Sequence, residues 1–192
     1  MPGRILPVET SAERTGTAIN SEFYRQCLPF ARGELAADIV IRNARLANVF
    51  SLDYEQVDVA VARGVIVGIG TGYVGTETVD AAGKILIPGM IDGHVHVESS
   101  MLTPRRFAEA VVPLGTAAVM ADPHEIANVW GIAGIEAMQQ NALDLPLDFF
   151  WAAPSCVPAS DFETCREPLE ATQIAALFQQ GTCQHLGEMM NF

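Results

Sequence analysis

The sequence predicts an α/β chain in two parts, a small β-rich, sandwich-like segment followed by parallel βα units. Three observations carry that expectation. From Asp38 to Gly89, six short β-branched runs ("DIVIRNA", "RLANVF", "VDVAVARG", "VIVGIG", "ETVDAAG", "KILIPG") alternate with Gly, Asn and Asp turn residues, the pattern of a compact antiparallel sheet. After Pro88 and Gly89 the rhythm lengthens: strands recur roughly 25 to 36 residues apart with helical patterns between them, as in parallel βα architecture. At 192 residues and 49% hydrophobic content, the chain has material for a real core.

Each element follows in order. Residues 1–35 read as a polar leader, with a short helix around "SEFYRQCLPFA" that Pro29 limits. Residues 36–87 form the β-rich segment, and residues 88–192 the βα segment. Within the latter, "MIDGHVHV", "TAAVMA", "LDFFWAA" and "CQHLGEMM" read as strands, while "TPRRFAEAVVPLG", "WGIAGIEAMQQNAL" and "EPLEATQIAALFQQG" read as helices. Thr103 before Pro104 suits an N-cap and first turn, and Gly115 and Gly181 stand where helices end. Four such units make an open sheet or half of an eight-stranded barrel.

Composition excludes several function classes. A formal net charge of −12 opposes a nucleic acid partner, since that affinity comes largely from Lys and Arg on phosphates, although a free nucleobase carries no phosphate. No stretch approaches the roughly 20 apolar residues of a membrane span, and the N-terminus lacks a signal-peptide run, so a cytoplasmic location is expected. Cys27, Cys156, Cys165 and Cys183 form no CxxC pair, which fits reduced, chemically idle thiols.

The chemistry concentrates at the predicted strand ends. His94 and His96 lie two apart on a strand, so they project together and can share one metal ion. Asp92 and Glu98 continue the same parity, Asp92 as a partner behind the ligands and Glu98 as a ligand or substrate contact. Asp122, His124 and Glu125 follow the next strand at its carboxyl end, where active sites of parallel α/β folds collect, although Asp122, Pro123 and Glu125 also spell a capping-box helix start. Glu188 ends the fourth strand and faces the same mouth as the histidine pair. His185 has odd parity relative to Glu188 and is expected on the other face.

The string "IPGMIDGHVH" after a β-rich segment resembles the opening of the amidohydrolase superfamily, metal-dependent hydrolases on a (β/α)8 TIM-type barrel. "HVHVESSMLTP", "ADPHEIANVWG" and "LGEMMNF" resemble the adenine deaminase family within it, over residues 38–192. The resemblance implies the first four βα units of such a barrel, incomplete in this chain. It implies a binuclear divalent centre of manganese or iron, with zinc as the alternative. His94 and His96 would ligate one ion, Glu188 would bridge the two, and Glu188 with Glu98 would be the catalytic carboxylates. Asp92, Asp122, His124, Glu125 and Ser99 would line the pocket or support the ligands. The implied reaction converts adenine and water to hypoxanthine and ammonia, with activated water adding at C6 and a carboxylic acid relaying protons. Full-length members add four further units with two more histidine ligands and a proton-shuttling aspartate. The expectation is therefore a truncated, inactive fragment of an enzyme that is a homo-oligomer when full length.

Of three rival readings, two stay open and the zinc nucleobase deaminase type fails on its motif. A cyclic-amide hydrolase of the dihydroorotase or hydantoinase type typically carries a carboxylated lysine where this sequence has Glu188. The zinc nucleobase deaminases share His96-Val97-Glu98 as H-x-E, but Pro154-Ser155-Cys156 lacks their paired cysteines. A non-catalytic half-barrel module completed by another chain would expose edge strands and associate.

Overall fold

The structure is a computed structural model and describes residues 21–190. It divides into two compact units at Pro88/Gly89.

The first unit is a five-stranded sheet with helix α1 (Ser21–Ala31). Its strands are β1 (Ala37–Asn48), β2 (Asp53–Ala62), β3 (Val65–Gly70), β4 (Gly75–Asp80) and β5 (Ile85–Leu86). The order is β3-β2-β1-β4, with β5 also on β1. Two expectations change here. The runs "DIVIRNA" and "RLANVF" fuse into β1, because Asn43 takes up a register shift between Ile41 and Ala44 at φ 56°, a left-handed conformation Asn tolerates. The sheet is mixed rather than antiparallel, since β4 and β5 pair parallel to β1. It is also a single sheet, not a sandwich: Ala37, Val40, Ala60 and Ala62 are buried against Phe30 of α1, Val67 and Tyr73. Helix α1 runs two residues past Pro29, whose missing N–H falls in the final turn, and Gly33 at φ 71° closes it by donating to the Phe30 carbonyl.

The second unit is an all-parallel sheet in the order β6-β7-β8-β9, formed by Met90–Val95, Thr116–Ala121, Asp148–Ala153 and His185–Leu186. Helix α2 (Pro104–Val111) links β6 to β7, α3 (His124–Trp130) and α4 (Ile132–Asn141) link β7 to β8, and α5 (Ala171–Gln179) links β8 to β9. The described residues thus hold four parallel strands and three helical crossovers, rather than four complete βα units. Gly131 splits the single helix expected over "WGIAGIEAMQQNAL". Its φ of 64° with ψ of −151° is open to glycine alone, and a Cβ there would meet the Glu167 carboxylate at 2.6 Å. Val97, Val119, Ile135, Leu147, Trp151 and Leu177 make the core between strands and helices. Roughly 1.5–3 kcal/mol per large apolar side chain holds the helices on the sheet.

Two glycines let backbones meet. A Cβ on Gly89 would stand 2.5 Å from the Ala117 Cβ, so only glycine allows β6 to start against β7. Gly115 takes φ 104° at the end of the turn after α2, as its position predicts. The outer strands leave Met90, Ile91 and Leu186 exposed. The four cysteines are free thiols, with Cys165 half-buried and the others buried.

Candidate metal centre

The carboxyl ends of β6, β7 and β9 converge on one cluster. His94 leaves β6 one residue before its end, and His96 follows just beyond Val95. The β6–β7 ladder is irregular between Asp92 and Val95, a bulge of the kind that re-aims side chains beside active sites. The outcome is two imidazoles with Nε2 atoms 3.0 Å apart and ring centroids 4.6 Å apart. Two nitrogens each about 2.0–2.1 Å from one ion lie roughly 3 Å apart, so this spacing fits a shared cation.

The carbonyl of Asp122 accepts the Nδ1–H of His96 at 2.9 Å. That bond assigns the His96 tautomer and leaves the Nε2 lone pair facing the cluster. Glu188 places Oε1 3.1 Å from His96 Nε2 and 3.8 Å from His94 Nε2. It lies just past the two-residue strand β9 and is held by its own backbone, whose N–H donates to Asp122 Oδ2 at 2.9 Å and whose carbonyl accepts from Ser155 Oγ at 2.7 Å.

His94, His96, Asp122 and Glu188 offer one ligand atom each, all within 4.8 Å of one another. Asp122 is the buried member, with its side chain 2% exposed. Burial alone would raise its carboxyl, but His124 and the Glu188 amide outweigh burial and hold it below the usual carboxylate range. The Asp122 carboxylate in turn raises the His124 pKa against the opposing effect of burial, helped by Glu188 and Glu125. Asp122 Oδ1 and His124 Nδ1 are buried with no hydrogen-bond partner. Two orphaned polar atoms beside two histidines and a carboxylate fit a divalent cation, which would satisfy them without adding a donor of its own.

The other expected residues sit around this cluster rather than in it. Asp92 Oδ1 accepts the His94 N–H at 3.1 Å, an exposed carboxylate bracing the ligand's backbone. Glu98 does not continue the strand face, because the strand ends at Val95 and Val97 turns into a 3-10 segment, Glu98–Ser100. Its Oε1 accepts the Ile126 N–H at the start of α3 at 3.2 Å, and burial pushes its carboxyl pKa up. Ser99 Oγ donates to Glu125 Oε1 at 2.5 Å, a second tie between the 3-10 segment and α3. The capping-box alternative is not realised: α3 starts at His124 after Pro123 without a side-chain cap, and Asp122 turns to Glu188 instead. His185 stands in β9 outside the donor set, and burial lowers its pKa. Sequence reasoning missed Gly187, whose missing Cβ makes room for the Asp122 carboxylate 2.5 Å from where it would stand. A glycine beside the strand-end acid was the available signal.

Residues 85–191 match the model of the amidohydrolase family. The chain is 44% identical over 174 residues to an adenine deaminase of Geobacillus kaustophilus, covering 91% of this chain and 30% of that protein. It is 47% identical over 167 residues to an adenine deaminase of Dehalococcoides mccartyi, covering 87% and 29%. It therefore spans about 30% of the length of the curated relatives it matches. Among solved structures, an N-acyl-D-glutamate deacylase of Bordetella bronchiseptica aligns at a TM-score of 0.38 and 23% identity over 45% of this chain and 19% of that one, too partial a likeness to carry an argument. With its strand-end histidine pair, its parallel sheet and a family match over more than half its length, the chain belongs to the amidohydrolase family.

Proposed function

We propose that this chain carries the first part of the active site of an adenine deaminase, which hydrolyses adenine to hypoxanthine and ammonia. The observation that carries the reading is the cluster of His94, His96, Asp122 and Glu188, set by a sequence 43–47% identical along most of its length to proteins of that name. His94, His96 and Glu188 are assigned as metal ligands, Glu188 and Glu98 as the catalytic carboxylates, and Asp92, Ser99, Asp122, His124 and Glu125 as pocket or supporting residues. The centre is read as binuclear, with manganese or iron, or zinc as the alternative.

When bound, the divalent cations supply Lewis acidity that brings the pKa of water near neutrality. His96, oriented by its Nδ1 bond to the Asp122 carbonyl, would present Nε2 to the ion. The Glu188 backbone is held by two hydrogen bonds, its N–H donating to Asp122 Oδ2 and its carbonyl accepting from Ser155 Oγ, which sets where its carboxylate stands. Glu98, raised by burial, keeps a proton at its carboxyl to higher pH than an exposed acid and offers it toward the departing amino group. A bond from C6 to the water oxygen forms, the bond from C6 to nitrogen breaks and ammonia leaves, the proton lost by the water replacing the one that Glu98 gives up.

The negative cluster and the formal charge of −12 suit a neutral purine and a cation rather than nucleic acid. No helix among the described residues is long and apolar enough to cross a membrane. A cytoplasmic homo-oligomer and the division into residues 1–35, 36–87 and 88–192 belong to the same proposal. The test is ammonia release by the manganese-loaded full-length protein, with adenine, dihydroorotate and hydantoin compared. Turnover of adenine alone supports the reading, and turnover of a cyclic amide alone replaces it with the hydantoinase type.

A further inference from the structure

We propose that Ser155 and Cys156, just beyond β8, are positioning residues for Glu188, a role that rests on the reading of Glu188 as a metal ligand. Neither touches the ion. Together they clasp the two peptide groups that follow Glu188 and so set where its carboxylate stands against the imidazoles.

The sheet runs out of backbone partners just before Glu188. Strand β9 pairs with β8 at Ala152–His185 and Ala153–Leu186, and beyond these the Gly187 N–H donates to the Ala153 carbonyl at 2.8 Å. Pro154 comes next after β8 and has no N–H to offer. The backbone of residues 187–190 therefore takes its partners from side chains.

Three side chains tie three successive peptide groups. Asp122 Oδ2 accepts the Glu188 N–H at 2.9 Å, and Ser155 Oγ donates to the Glu188 carbonyl at 2.7 Å. Cys156 Sγ accepts the Met190 N–H at 3.1 Å. Ser155 Oγ stands farther, 3.4 Å, from the Gly187 carbonyl, so its bond to Glu188 is the principal one. The Cys156 thiol is buried and turns its S–H to Met189 Sδ at 3.6 Å, so it accepts from one residue and donates to its neighbour.

The consequence falls on the carboxylate. The Glu188 side chain is 40% exposed, and its Oε1 faces the imidazoles of His96 at 3.1 Å, His94 at 3.8 Å and His124 at 3.9 Å. A ligand so open to solvent is placed by its backbone, and a site works only when its groups stand within roughly 0.5 Å of their places. Adjacent residues fixed at the end of a central strand supply that restraint.

The experiment is Mn²⁺ titration of the chelator-stripped full-length protein, with free ion read by electron paramagnetic resonance. Ser155→Ala and Cys156→Ala are each expected to bind about tenfold more weakly, within the roughly 10–100-fold that loss of a supporting partner costs. Ser155→Thr keeps the hydroxyl and Cys156→Ser keeps an acceptor, and both are expected to stay within about threefold of wild type. Thr182→Ala loses a comparable bond to the Leu177 carbonyl, 2.9 Å long and outside the donor cluster, and is expected to bind as wild type does. Circular dichroism of the metal-free proteins checks folding, and the partly exposed Ser155 decides the case if Cys156→Ala does not fold. An alanine variant at wild-type affinity removes its residue from the role. Equal weakening in Ser155→Ala and Ser155→Thr, or in Thr182→Ala, overturns the proposal and leaves the proposed function standing. A wild type that binds no Mn²⁺ overturns both.

Discussion

His96 and Asp122, each one residue past the end of neighbouring strands β6 and β7 and 26 residues apart, are joined by a 2.9 Å hydrogen bond from an imidazole Nδ1–H to a backbone carbonyl. Because the acceptor is backbone, no substitution at residue 122 removes it, and the tautomer of His96 is a property of the β6–β7 pairing itself. The Asp122 side chain remains free for a different task at the same place.

Replacing His96 with Ala is expected to remove the ion at the His94–His96 pair. Affinity for Mn²⁺ there should fall by at least 100-fold, as loss of a ligand exceeds the roughly 10–100-fold cost of losing a supporting partner. Titration calorimetry on the metal-free variant measures it, and unchanged affinity would remove His96 from the ligand set.

Asp122 links acidity to stability in the metal-free protein. Its folded-state pKa is lowered, so its contribution is present above the ordinary aspartate value and is lost as pH falls through the lowered one. Stability should therefore decline below about pH 4 in the wild type. In Asp122→Asn that part of the decline should be absent and the neutral-pH melting temperature lower. Urea unfolding across pH 2.5 to 7 reads both, and parallel wild-type and variant curves would show that Asp122 makes no such contribution.

Gly187→Ala should damage the centre more than the fold. The added Cβ meets the Asp122 carboxylate at 2.5 Å, so the acid must move from the Glu188 amide. Overpacking of this kind costs about 1–3 kcal/mol. The expected result is a protein still folded by circular dichroism but with weakened Mn²⁺ binding; wild-type binding would mean that the strand end yields instead.

Ser99→Ala tests the tie between the 3-10 segment and α3. Losing the bond to Glu125 should lower stability by about 0.5–1.5 kcal/mol and leave the number of bound ions unchanged, since neither residue is in the donor cluster. A lost metal equivalent in this variant would give Ser99 a closer role.

Cysteine reactivity follows burial. Cys183 is pushed up to about 11, chiefly by burial, whereas Cys165 is only half-buried. Iodoacetamide at pH 8 should modify Cys165 first and Cys183 only after unfolding. Peptide mapping of the native protein decides, and early labelling of Cys183 would show that its segment opens.

Much of this was legible in the chain. The alternating pattern of "MIDGHVHV", the glycine at 115 and the strand-end position of Glu188 determined a parallel sheet with two imidazoles and an acid at one mouth, because strand parity and turn chemistry are local. Local rules also misread some features. Strand parity carried Glu98 onto the histidine face, but the strand stops at Val95 and the carboxylate goes to the Ile126 amide. The β-rich segment looked antiparallel because pairing partners leave no mark on composition, and β4 and β5 joined β1 in parallel. Only the tertiary structure decided that Asp122 is the buried acid of the donor cluster. Its partner is the Glu188 amide, 66 residues away, and no period along the chain encodes a contact that forms only when β7 and β9 end at the same mouth.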